Sequence, residues 1–403
     1  MIIVGGTYSE ICFEPIWENI FGSGFRAVSL LLEYDKNLKI DYYTCCDEEI
    51  KAYLDYHVKL NSNLKLHPTS VFKCPIFQYD YPLKTPTIVP RPDLYSNKKT
   101  EIKVQGHQIL AYGMLEASIC LDGKKVVYDP QSPVNPISFT STGSKAEQLI
   151  TIVNYSEAKL ITGCSDINDI RDYFFNVENC LGFILKMGAK GAHVFENGKT
   201  KSTIIPVYET NQVWPIGSGD IFSAFFAYNW FEGGHIIDSA KIASQATAIY
   251  CNSMDLSIKN KLQNFKLPEL LINKEPKGQI YLAGPFFTFT ERWLVNEIRN
   301  TFIGFNLKIF SPFHDVGHGK AIDVVDKDLE GIDESEIIFA IVDGLDSGTL
   351  FEIGYAIAEK KKVIAFVQNE GEESLKMLEG TNCIIENDLT TAIYKTYWLL
   401  AKS

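Results

Sequence analysis

The chain has 403 residues, too many for one typical hydrophobic core and suited to two or three domains. Apolar residues make up 46% and charged residues 22%, the balance of an ordinary soluble globular protein. No apolar run approaches the roughly 18 residues that would cross a bilayer, and the start lacks the basic region of a signal peptide. Nine cysteines without a CxxC pair favour reduced thiols over disulfides or a zinc site. We therefore expect a cytoplasmic protein with no membrane partner.

The formal charge of −12 is unevenly distributed. From Gly278 onward there are 20 acidic and 11 basic residues, whereas the first 277 residues carry 30 acidic and 27 basic. Such an acidic segment repels a polyphosphate backbone, so DNA and RNA are not expected partners. Small nucleosides and nucleotides remain open.

A domain boundary is predicted in the segment Leu267–Gly278, which contains two prolines and a glycine and precedes the shift to acidic composition. The predicted domains are residues 1–270 and 278–403. Both alternate short β-rich runs with amphipathic stretches, which predicts parallel sheets with helices on both faces. The fold class is therefore α/β, with two doubly wound domains.

In the first domain, strands are predicted at Phe183–Lys186 and His193–Phe195, around a tight turn at Gly188–Gly191. The stretch Ile221–Phe231 is apolar on all sides and predicts a buried helix. Residues Lys73–Lys103, rich in Pro, Tyr and Thr, allow a small β lid. In the second domain, strands are predicted at Ile280–Ala283, Leu307–Phe310, Ile337–Val342 and Val363–Val367, with helices that include Thr349–Lys361 and Leu389–Leu400.

A glycine-rich turn directly precedes the buried helix, in the string Trp214-Pro-Ile-Gly-Ser-Gly-Asp220. Backbone N–H groups of Gly217, Ser218 and Gly219 at a helix start would converge into an anion hole. Asp220 could then deprotonate a hydroxyl that attacks a γ-phosphate. Alone, the pattern is equally explained by a turn that needs small residues.

Three motifs in order, Asn154-Tyr-Ser-Glu157, Leu185-Lys-Met-Gly-Ala-Lys-Gly-Ala192 and the turn before Asp220, resemble the ribokinase-like (PfkB) kinase family. The resemblance implies a three-layer αβα domain that uses ATP and Mg²⁺. Asp220 would be the catalytic base, and Asn154 and Glu157 the element associated with magnesium and phosphate. The metal would be bound through the nucleotide rather than a protein cage, with Glu157 a possible ligand. The expected ATP- and anion-binding residues are Gly217, Ser218, Gly219, Asn154, Glu157, Gly188 and Gly191.

Two departures from that family alter the expected sugar pocket. Trp214-Pro215 stands where the family has Asp-Thr, and Arg26 stands where its early glycine element has asparagine. An arginine there would suit a phosphorylated or otherwise anionic ligand. Two interpretations stay open: an active kinase, or a nucleotide-binding domain that has lost catalysis.

Three segments of the second domain carry polar residues, Tyr281–Phe287, Asp326–Ile332 and Asp343–Ala356. The last places a glycine-rich loop between a strand and a helix, where ligands bind in doubly wound sheets. With Thr349 as cap, Glu352 falls in the first helical turn, where the macrodipole favours its ionised form by about 0.3–1 kcal/mol. An ionised carboxylate is the species that attacks an anomeric carbon.

The competing interpretation is that Glu352 only completes a capping box. The neighbouring carboxylates argue for a binding site, because several acidic groups in one crevice are costly unless they bind something. They are Asp343 and Asp346 in the loop, together with Asp326 and Asp328.

These segments resemble the nucleoside 2-deoxyribosyltransferase family from about Gly278 to the end, most specifically in the string D-S-G-T-x-x-E-x-G-x-A. The resemblance implies that Glu352 is the nucleophile, Asp346 orients it, Asp328 manages the proton of the base and Tyr281 hydrogen-bonds the nucleophile. No cofactor is implied. The expected substrate-binding residues are Gly284, Phe287, Asp343, Ser347, Gly348, His314 and Asn382.

Some of these assignments carry alternatives. His314 and His318 would bind a nucleotide phosphate or shape the sugar pocket, with polar loop residues as the competing interpretation. Asn382 would complete the site of a neighbouring subunit, which implies a homo-oligomer formed through the second domain. Water can replace the acceptor base, so hydrolase and transferase both remain open.

The leading hypothesis is a bifunctional enzyme of nucleoside or nucleotide metabolism. Its second domain would cleave or transfer an N-glycosidic bond through a glycosyl-Glu352 intermediate, and its first would phosphorylate a sugar or nucleoside with ATP. The alternative is a kinase-inactive, nucleotide-sensing first domain that gates an N-glycohydrolase, for example in antiviral defence. A non-enzymatic nucleotide-binding protein is the third possibility.

Overall fold

The computed structural model describes residues 1–95, 99–132, 135–272, 275–317 and 319–402. The chain divides into two compact units. The first unit is Met1–Thr210 with Trp214–Asn273, and the second unit is Asn211–Val213 with Lys274–Ser403. Within the described residues, no helix is both long and apolar enough to cross a membrane.

The first unit contains fifteen strands and seven helices in its described residues. The strands are β1 (Ile2–Val4), β2 (Ser9–Cys12), β3 (Trp17–Ile20), β4 (Ile40–Cys46), β5 (Leu64–Ser70), β6 (Ile76–Tyr79), β7 (Thr87–Val89), β8 (Thr100–Tyr112), β9 (Ala117–Asp129), β10 (Lys145–Asn154), β11 (Gly182–Lys186), β12 (Ala192–Glu196), β13 (Thr203–Ile205), β14 (Val207–Tyr208) and β15 (Glu269–Leu270). The helices are α1 (Gly22–Tyr34), α2 (Glu48–Leu60), α3 (Tyr155–Thr162), α4 (Ile167–Asn176), α5 (Ser218–Phe231), α6 (Ile236–Ser253) and α7 (Lys259–Gln263).

A nine-stranded sheet forms the centre of the first unit, in the order β13-β12-β11-β10-β9-β8-β1-β4-β5. Its strands are parallel except where β12 pairs with β11 and β13. A separate four-stranded sheet, β3-β2-β6-β7, includes the two strands that lie in the stretch predicted as a small β lid. We call it the small sheet. The α/β class and the predicted parallel sheet are confirmed.

Strands β8 and β9 cannot both be straight. They pair in parallel over their full lengths, with Thr100 opposite Ala117 and Tyr112 opposite Asp129. The four residues between them would have to bridge about 40 Å if each strand were extended, which is more than twice their reach. Both strands must therefore bend back, and the register places two glycines, Gly106 and Gly123, opposite each other near the middle.

The two faces of the nine-stranded sheet have separate cores. Successive residues of β1 point to opposite faces, so Ile3 lies in one core and Val4 in the other. Helix α5 belongs to the first of these cores, with Phe225 and Phe226 fully buried. The predicted buried helix is confirmed and begins at Ser218, three residues earlier than expected.

Helix α1 packs directly on the end of β1 through two glycines. A Cβ atom added at Gly24 would lie 2.7 Å from the carbonyl carbon of Gly5 and from the Tyr42 hydroxyl. The backbone N–H of Gly24 donates to the carbonyl of Gly6 at 3.1 Å. This approach requires glycine, because a side chain would push the helix from the strand.

We predict that Gly24→Ala lowers the free energy of unfolding by about 1–3 kcal/mol through overpacking. Gly354→Ala should instead raise it by up to about 1 kcal/mol, because nothing lies within 4 Å of its added Cβ and alanine is the better helix former. Urea denaturation of both variants measures the difference. An unchanged midpoint for Gly24→Ala would contradict the close packing.

The second unit has five strands and five helices in its described residues. They are β16 (Gln279–Ala283), α8 (Phe289–Gly304), β17 (Lys308–Phe310), α9 (Ala321–Asp333), β18 (Ile337–Ile341), α10 (Ser347–Ala358), β19 (Lys362–Phe366), α11 (Glu372–Glu379), β20 (Ile384–Glu386) and α12 (Leu389–Ala401). A π-helical turn, Pro312–Val316, follows β17.

All five strands are parallel, in the order β17-β16-β18-β19-β20. Helices α9, α10 and α11 bury residues against one face, and α8 and α12 contact strands from the other. The strand order reverses direction between β16 and β18, which is where doubly wound sheets bind ligands, at the carboxyl ends of the strands. The fold therefore places β16 and the β18–α10 loop beside a ligand crevice.

Candidate active site

The central contact of the second unit is a hydrogen bond between Tyr281 on β16 and Glu352 on α10. The Tyr281 hydroxyl donates to Oε1 of Glu352 at 2.7 Å. Tyr281 is fully buried, and the ring of Phe310 stacks on it with centroids 5.5 Å apart. No residue in the described part of the chain donates to the second oxygen, Oε2. Tyr281 therefore holds one oxygen of Glu352, and the other has no partner among the described residues.

The helix start differs from the sequence prediction. Asp346, not Thr349, caps α10, and its carboxylate accepts from the N–H of Thr349 at 2.8 Å and from the Thr349 hydroxyl at 3.0 Å. Glu352 consequently lies in the second helical turn. The macrodipole weakens beyond the first turn, so it does not hold Glu352 ionised as expected.

Burial dominates the ionisation of Glu352 and raises its pKa to about 7. The hydrogen bond from Tyr281 opposes that rise, while the charges of Asp328 and Asp346 add to it. Burial and the nearby Glu352 raise the pKa of Tyr281, so its hydroxyl remains a donor. Near neutral pH, Glu352 is thus divided between its acid and its carboxylate.

Asp328 is the second carboxyl group of the crevice. It lies on α9, and burial raises its pKa. Its Oδ1 atom is buried, and no described residue hydrogen-bonds to it. The negative charge of Asp328 also raises the pKa values of Tyr281 and Glu352, so the three side chains interact electrostatically. Asp326, two residues earlier, is exposed.

The glycine-rich loop uses most of its polar groups to hold its own shape. Asp343 accepts from the N–H groups of Gln368 and Asn369 at 2.9 and 2.8 Å, which ties the end of β18 to the end of β19. A Cβ at Gly284 would meet Ile341 at 3.0 Å, so this glycine keeps β16 close to β18. Asp343 and Gly284 therefore shape the loop and the strand pairing, and their predicted contact with substrate stays a prediction.

Two other predicted substrate-binding residues, Ser347 and Gly348, are the first residues of α10. A Cβ at Gly348 would lie 3.1 Å from the Asp346 carboxylate. Because Ser347 and Gly348 are small, the Asp346 carboxylate can fold over the first turn of α10. Their predicted contact with substrate stays a prediction.

Aromatic rings form a wall beside the crevice. The rings of Phe286 and Phe287 stack at 5.4 Å, and Phe313 lies 5.4 Å from Phe286. Phe287 is 65% exposed, so its ring is available to a base. This exposure agrees with the role predicted for Phe287.

The ring of His314 is held by two side chains. Its Nε2 lies 2.8 Å from Oδ1 of Asn296 and its Nδ1 lies 3.1 Å from Oγ of Ser311, so both ring nitrogens already have partners. Burial and the nearby Arg299 lower its pKa. These contacts hold His314 in the π-helical turn, and its predicted contact with substrate stays a prediction. His318 lies outside the described residues.

Asn382 does not reach this crevice within the same chain. It precedes β20 and therefore lies at the amino ends of the parallel strands, opposite the edge that carries the β18–α10 loop. Its φ of 61° suits a turn. Its contribution to a neighbouring subunit stays a prediction.

We predict that Tyr281→Phe raises the pKa of Glu352 above about 7, because it removes the hydrogen bond that stabilises the carboxylate. Asp328→Asn should lower this pKa by removing a like charge. An NMR titration with ¹³C-labelled glutamate measures both shifts. A downward shift in Tyr281→Phe would contradict the assignment.

In the first unit, the predicted catalytic base already has two partners. Asp220 is buried, its Oδ2 accepts from Nε of Arg26 at 3.0 Å and its Oδ1 accepts from Nε2 of Gln131 at 2.6 Å. Burial raises its pKa, and Arg26 and Gln131 oppose that rise. Each Asp220 oxygen thus accepts one hydrogen bond, and its role as catalytic base stays a prediction.

The role predicted for Arg26 is also corrected. Its side chain is fully buried and donates to Glu10, Asp220 and the Tyr250 hydroxyl. A Cβ at Gly217 would lie 2.2 Å from its Nε, so the guanidinium fills the space beside that glycine. Arg26 binds the protein's own carboxylates and not an external anion.

Two polar residues of this sheet edge are missing from the predicted site although a signal was present. Asp129 and Lys186 end the apolar parallel strands β9 and β11, as the predicted Asn154 ends β10, which puts all three at one sheet edge. Lys186 Nζ donates to Asp129 Oδ2 at 2.7 Å. A Cβ at Gly219 would lie 3.3 Å from this ammonium, so the buried cation stands beside the glycine-rich turn.

The Asn154–Glu157 element forms a complete capping box for α3. Asn154 accepts from the N–H of Glu157 at 2.8 Å, and Glu157 accepts from the N–H of Asn154 at 2.9 Å. Burial and the nearby Asp129 raise the pKa of Glu157 to about 7. The capping box therefore engages one Glu157 oxygen, and its predicted part in binding magnesium stays a prediction.

The glycine-rich turn is only partly open to an anion. The N–H groups of Ser218 and Asp220 donate to the carbonyls of Pro215 and Gly217, both at 3.0 Å. A Cβ at Gly191 would lie 2.1 Å from the Ile205 carbonyl oxygen, so this glycine permits a close chain crossing.

Seven of the predicted residues line one cavity of about 470 Å³, together with residues of the small sheet. We call it the first-unit cavity. Arg26 and Gly191 are not part of its described lining. The seven are Asn154, Glu157, Gly188, Gly217, Ser218, Gly219 and Asp220.

We predict that Arg26→Met lowers the free energy of unfolding of the first unit by about 3–5 kcal/mol, because it leaves Glu10 and Asp220 buried and unpaired. Arg91→Met, which removes an exposed pair with Asp93, should change it little. Thermal and urea unfolding at pH 7 test this difference. Equal effects of the two variants would contradict it.

Comparison with known families identifies both regions. Residues 280–388 match the family model for nucleoside 2-deoxyribosyltransferase, and residues 119–261 match the model for the pfkB family of carbohydrate kinases. An uncharacterised protein of Ureaplasma parvum serovar 3 is 34% identical over 101 residues, 22% of this chain and 64% of that protein. The chain thus spans somewhat less than two thirds of that relative. The chain combines a PfkB region with a nucleoside 2-deoxyribosyltransferase region.

Solved structures resemble the chain at low identity. Ribokinase from Thermotoga maritima is 15% identical, with a TM-score of 0.48 over 66% of this chain and 98% of the other. Fructokinase from Vibrio cholerae is 11% identical, with a TM-score of 0.49 over 66% and 98%. The nucleoside kinase of Methanocaldococcus jannaschii is 12% identical, with a TM-score of 0.46 over 65% and 97%.

Proposed function

We propose that the second unit cleaves or transfers the N-glycosidic bond of a nucleoside or nucleotide, with Glu352 as nucleophile. The observation that carries this proposal is the 2.7 Å hydrogen bond from Tyr281 to Glu352 beside the buried, unpartnered oxygen of Asp328. The match to the nucleoside 2-deoxyribosyltransferase model supports the same reaction class.

The proposed chemistry is a double displacement. Oε2 of Glu352 attacks the anomeric carbon, the C–N bond breaks with its electron pair on the base, and the acid form of Asp328 protonates that base. An acceptor base or water then attacks the same carbon and displaces the Glu352 ester, while Asp328 takes up the released proton. Two inversions retain the anomeric configuration.

The raised pKa values of Asp328 and Glu352 are consistent with their proposed roles as acid and nucleophile. Asp328 must carry a proton when the base departs, and burial favours that protonated form. Glu352 must lose its proton to attack, and Tyr281 stabilises the resulting carboxylate. The rate of the first displacement should therefore depend on pH as a bell: ionisation of Glu352, whose pKa is about 7, sets one limb, and loss of the Asp328 proton sets the other.

We predict that Glu352→Ala reduces base release by on the order of 10³-fold or more, because it removes the nucleophile. The matched control is Glu359→Ala, which alters an exposed glutamate at the end of the same helix. Chromatography of products from a panel of nucleosides and 5′-nucleotides, with and without an acceptor base, measures release and exchange. Full activity in Glu352→Ala would rule out the proposed nucleophile.

For the first unit we propose ligand binding without phosphoryl transfer, in preference to an active kinase. The supporting observation is the buried ion pair between Arg26 and Asp220, with Gln131 on the second oxygen of Asp220. The match to the PfkB model supports a related ligand site. ATP and Mg²⁺ belong to the competing kinase interpretation.

We predict that sugars and nucleosides do not stimulate release of ADP from ATP and Mg²⁺ by the parent protein. Asp220→Asn should behave like the parent, since Asp220 is already engaged. A coupled ADP assay over a substrate panel provides the measurement. Acceptor-dependent ADP release that disappears in Asp220→Asn would establish the active-kinase interpretation instead.

A further inference from the structure

The position of Asp328 in the crevice depends on the packing of helix α9. Tyr281 holds the other carboxyl group, that of Glu352, through a hydrogen bond of 2.7 Å. Oδ1 of Asp328 is buried, and no described residue hydrogen-bonds to it. A carboxyl group without such a bond lies where its helix places it. The contacts of α9 with the sheet therefore determine how Asp328 faces the crevice.

Helix α9 approaches the sheet at a glycine, one turn after Asp328. Gly331 follows Asp328 by three residues, so both lie on one face of the helix. Gly331 is buried, and a Cβ atom added to it would lie 2.5 Å from Cε1 of Phe310 and 2.8 Å from Cδ1 and Cζ. These separations are well inside the van der Waals contact of roughly 3.5 Å between carbon atoms. The helix can lie on this ring only because residue 331 has no side chain.

The Phe310 ring in turn contacts the residue that holds the nucleophile. It stacks on Tyr281 with the ring centroids 5.5 Å apart and an angle of 17° between the planes. Tyr281 is fully buried, and its hydroxyl donates to Glu352. Since protein interiors are close-packed, Tyr281 leaves Phe310 no space to retreat. A side chain at position 331 must therefore displace α9 and not the two rings.

The end of α9 that follows Gly331 is fixed to the sheet. The Ser335 hydroxyl donates to the Gly331 carbonyl at 2.7 Å, and the side chain of Gln279 on β16 donates to the Ser335 hydroxyl at 3.1 Å. The other end of the helix is open to solvent, with Ile322 84% exposed. A displaced α9 therefore tilts outward at the part that carries Asp328.

We propose that Gly331 is a positioning residue for the reaction of the second unit, because the contact of its backbone with the Phe310 ring sets how far Asp328 reaches into the crevice beside Glu352. The inference rests on the proposed function, in which Asp328 protonates the departing base. It differs from a purely structural role of Gly331, which would affect all substrates of the site equally.

An NMR titration of Glu352 in Gly331→Ala tests the placement of α9 without any substrate. Burial raises the pKa of Glu352, and the charge of Asp328 adds to that rise. An outward tilt of α9 weakens both effects, so Gly331→Ala should lower this pKa, in the same direction as Asp328→Asn. The control is Gly304→Ala, which adds a methyl group to α8 where nothing lies within 4 Å and should leave the pKa unchanged.

Two results of this titration would overturn the inference. A higher pKa of Glu352 would mean that the Phe310 ring yields and breaks the hydrogen bond from Tyr281, so that Gly331 positions the nucleophile instead. An unchanged pKa would mean that the added methyl group moves neither the helix nor the rings.

A comparison of two leaving groups tests the chemical consequence. The substrates are the nucleoside that the parent cleaves fastest and the 4-nitrophenyl glycoside of the same sugar, whose leaving group departs as a stable anion and needs no proton. Gly331→Ala should lower the ratio of the nucleoside rate to the nitrophenyl rate by about tenfold or more, because a displaced acid affects only the nucleoside. Asp328→Asn gives the full size of this loss, and Gly304→Ala should keep the ratio of the parent.

Phe310→Val provides a matched rescue. Valine lacks Cδ1, Cε1 and Cζ, the three ring atoms nearest to the added Cβ. Gly331→Ala combined with Phe310→Val should therefore recover the rate ratio of Phe310→Val alone. The ratio removes any effect of Phe310 on the nucleophile, because both substrates need Glu352. This pair of variants decides the question even if Gly331→Ala alone fails to fold, since a ratio about tenfold lower in the double variant would overturn the inference.

Failure of the inference and failure of the proposed function give different results. An equal loss of rate for both substrates in Gly331→Ala would overturn the positioning role and leave the role of Glu352 intact. Full activity in Glu352→Ala, or no base release by the parent, would instead remove the proposed function and the inference that rests on it.

Discussion

Burial of carboxyl groups at the edges of parallel sheets is the constraint on which both units depend. A carboxylate removed from water must receive a hydrogen bond, meet a positive charge or take up a proton. Glu352 receives a neutral donor, the hydroxyl of Tyr281. Asp220 receives a guanidinium, that of Arg26, and an amide.

A neutral donor and a charged donor have different chemical consequences for the carboxyl group that they bind. A neutral donor holds one oxygen of Glu352, leaves the other without a described partner and leaves the pKa near neutrality. That state can pass between acid and carboxylate during a reaction. A charged partner and an amide occupy both oxygens of Asp220, and breaking that pair leaves buried charges behind. The same cost of burial is therefore met by a neutral donor in one unit and by an ion pair in the other.

The sequence predicts the architecture of the second unit, and the structure brings the predicted Tyr281, Asp328 and Glu352 into one electrostatic environment. The strands over 280–283, 337–342 and 363–367 are apolar runs with clear ends, so their predicted bounds differ from the observed ones by only a residue or so. Strand β20 escaped prediction because it has three residues and no alternation to detect. The cap of α10 was assigned to Thr349 because TxxE is a common capping pattern, yet Asp346 reaches the same N–H group.

Contacts between residues that are distant in the chain could not be predicted from the sequence. Arg26 and Asp220 are 194 residues apart, and no local pattern shows that a helix places the arginine beside the glycine-rich turn. The back-folded strands β8 and β9 bring Glu116 to the first-unit cavity, which no periodicity would reveal. Asp129 and Lys186 could have been predicted as Asn154 is, because each is a polar residue at the end of an apolar strand.

The most direct test of the central claim is detection of the covalent intermediate. The full chain should be mixed with a substrate from the nucleoside panel, quenched in acid within one turnover, digested and examined by peptide mass spectrometry. The account predicts a glycosyl adduct on the peptide that contains Glu352, which disappears when an acceptor base is added before quenching. Base release without any adduct on this peptide, or an adduct on another carboxylate, would contradict it.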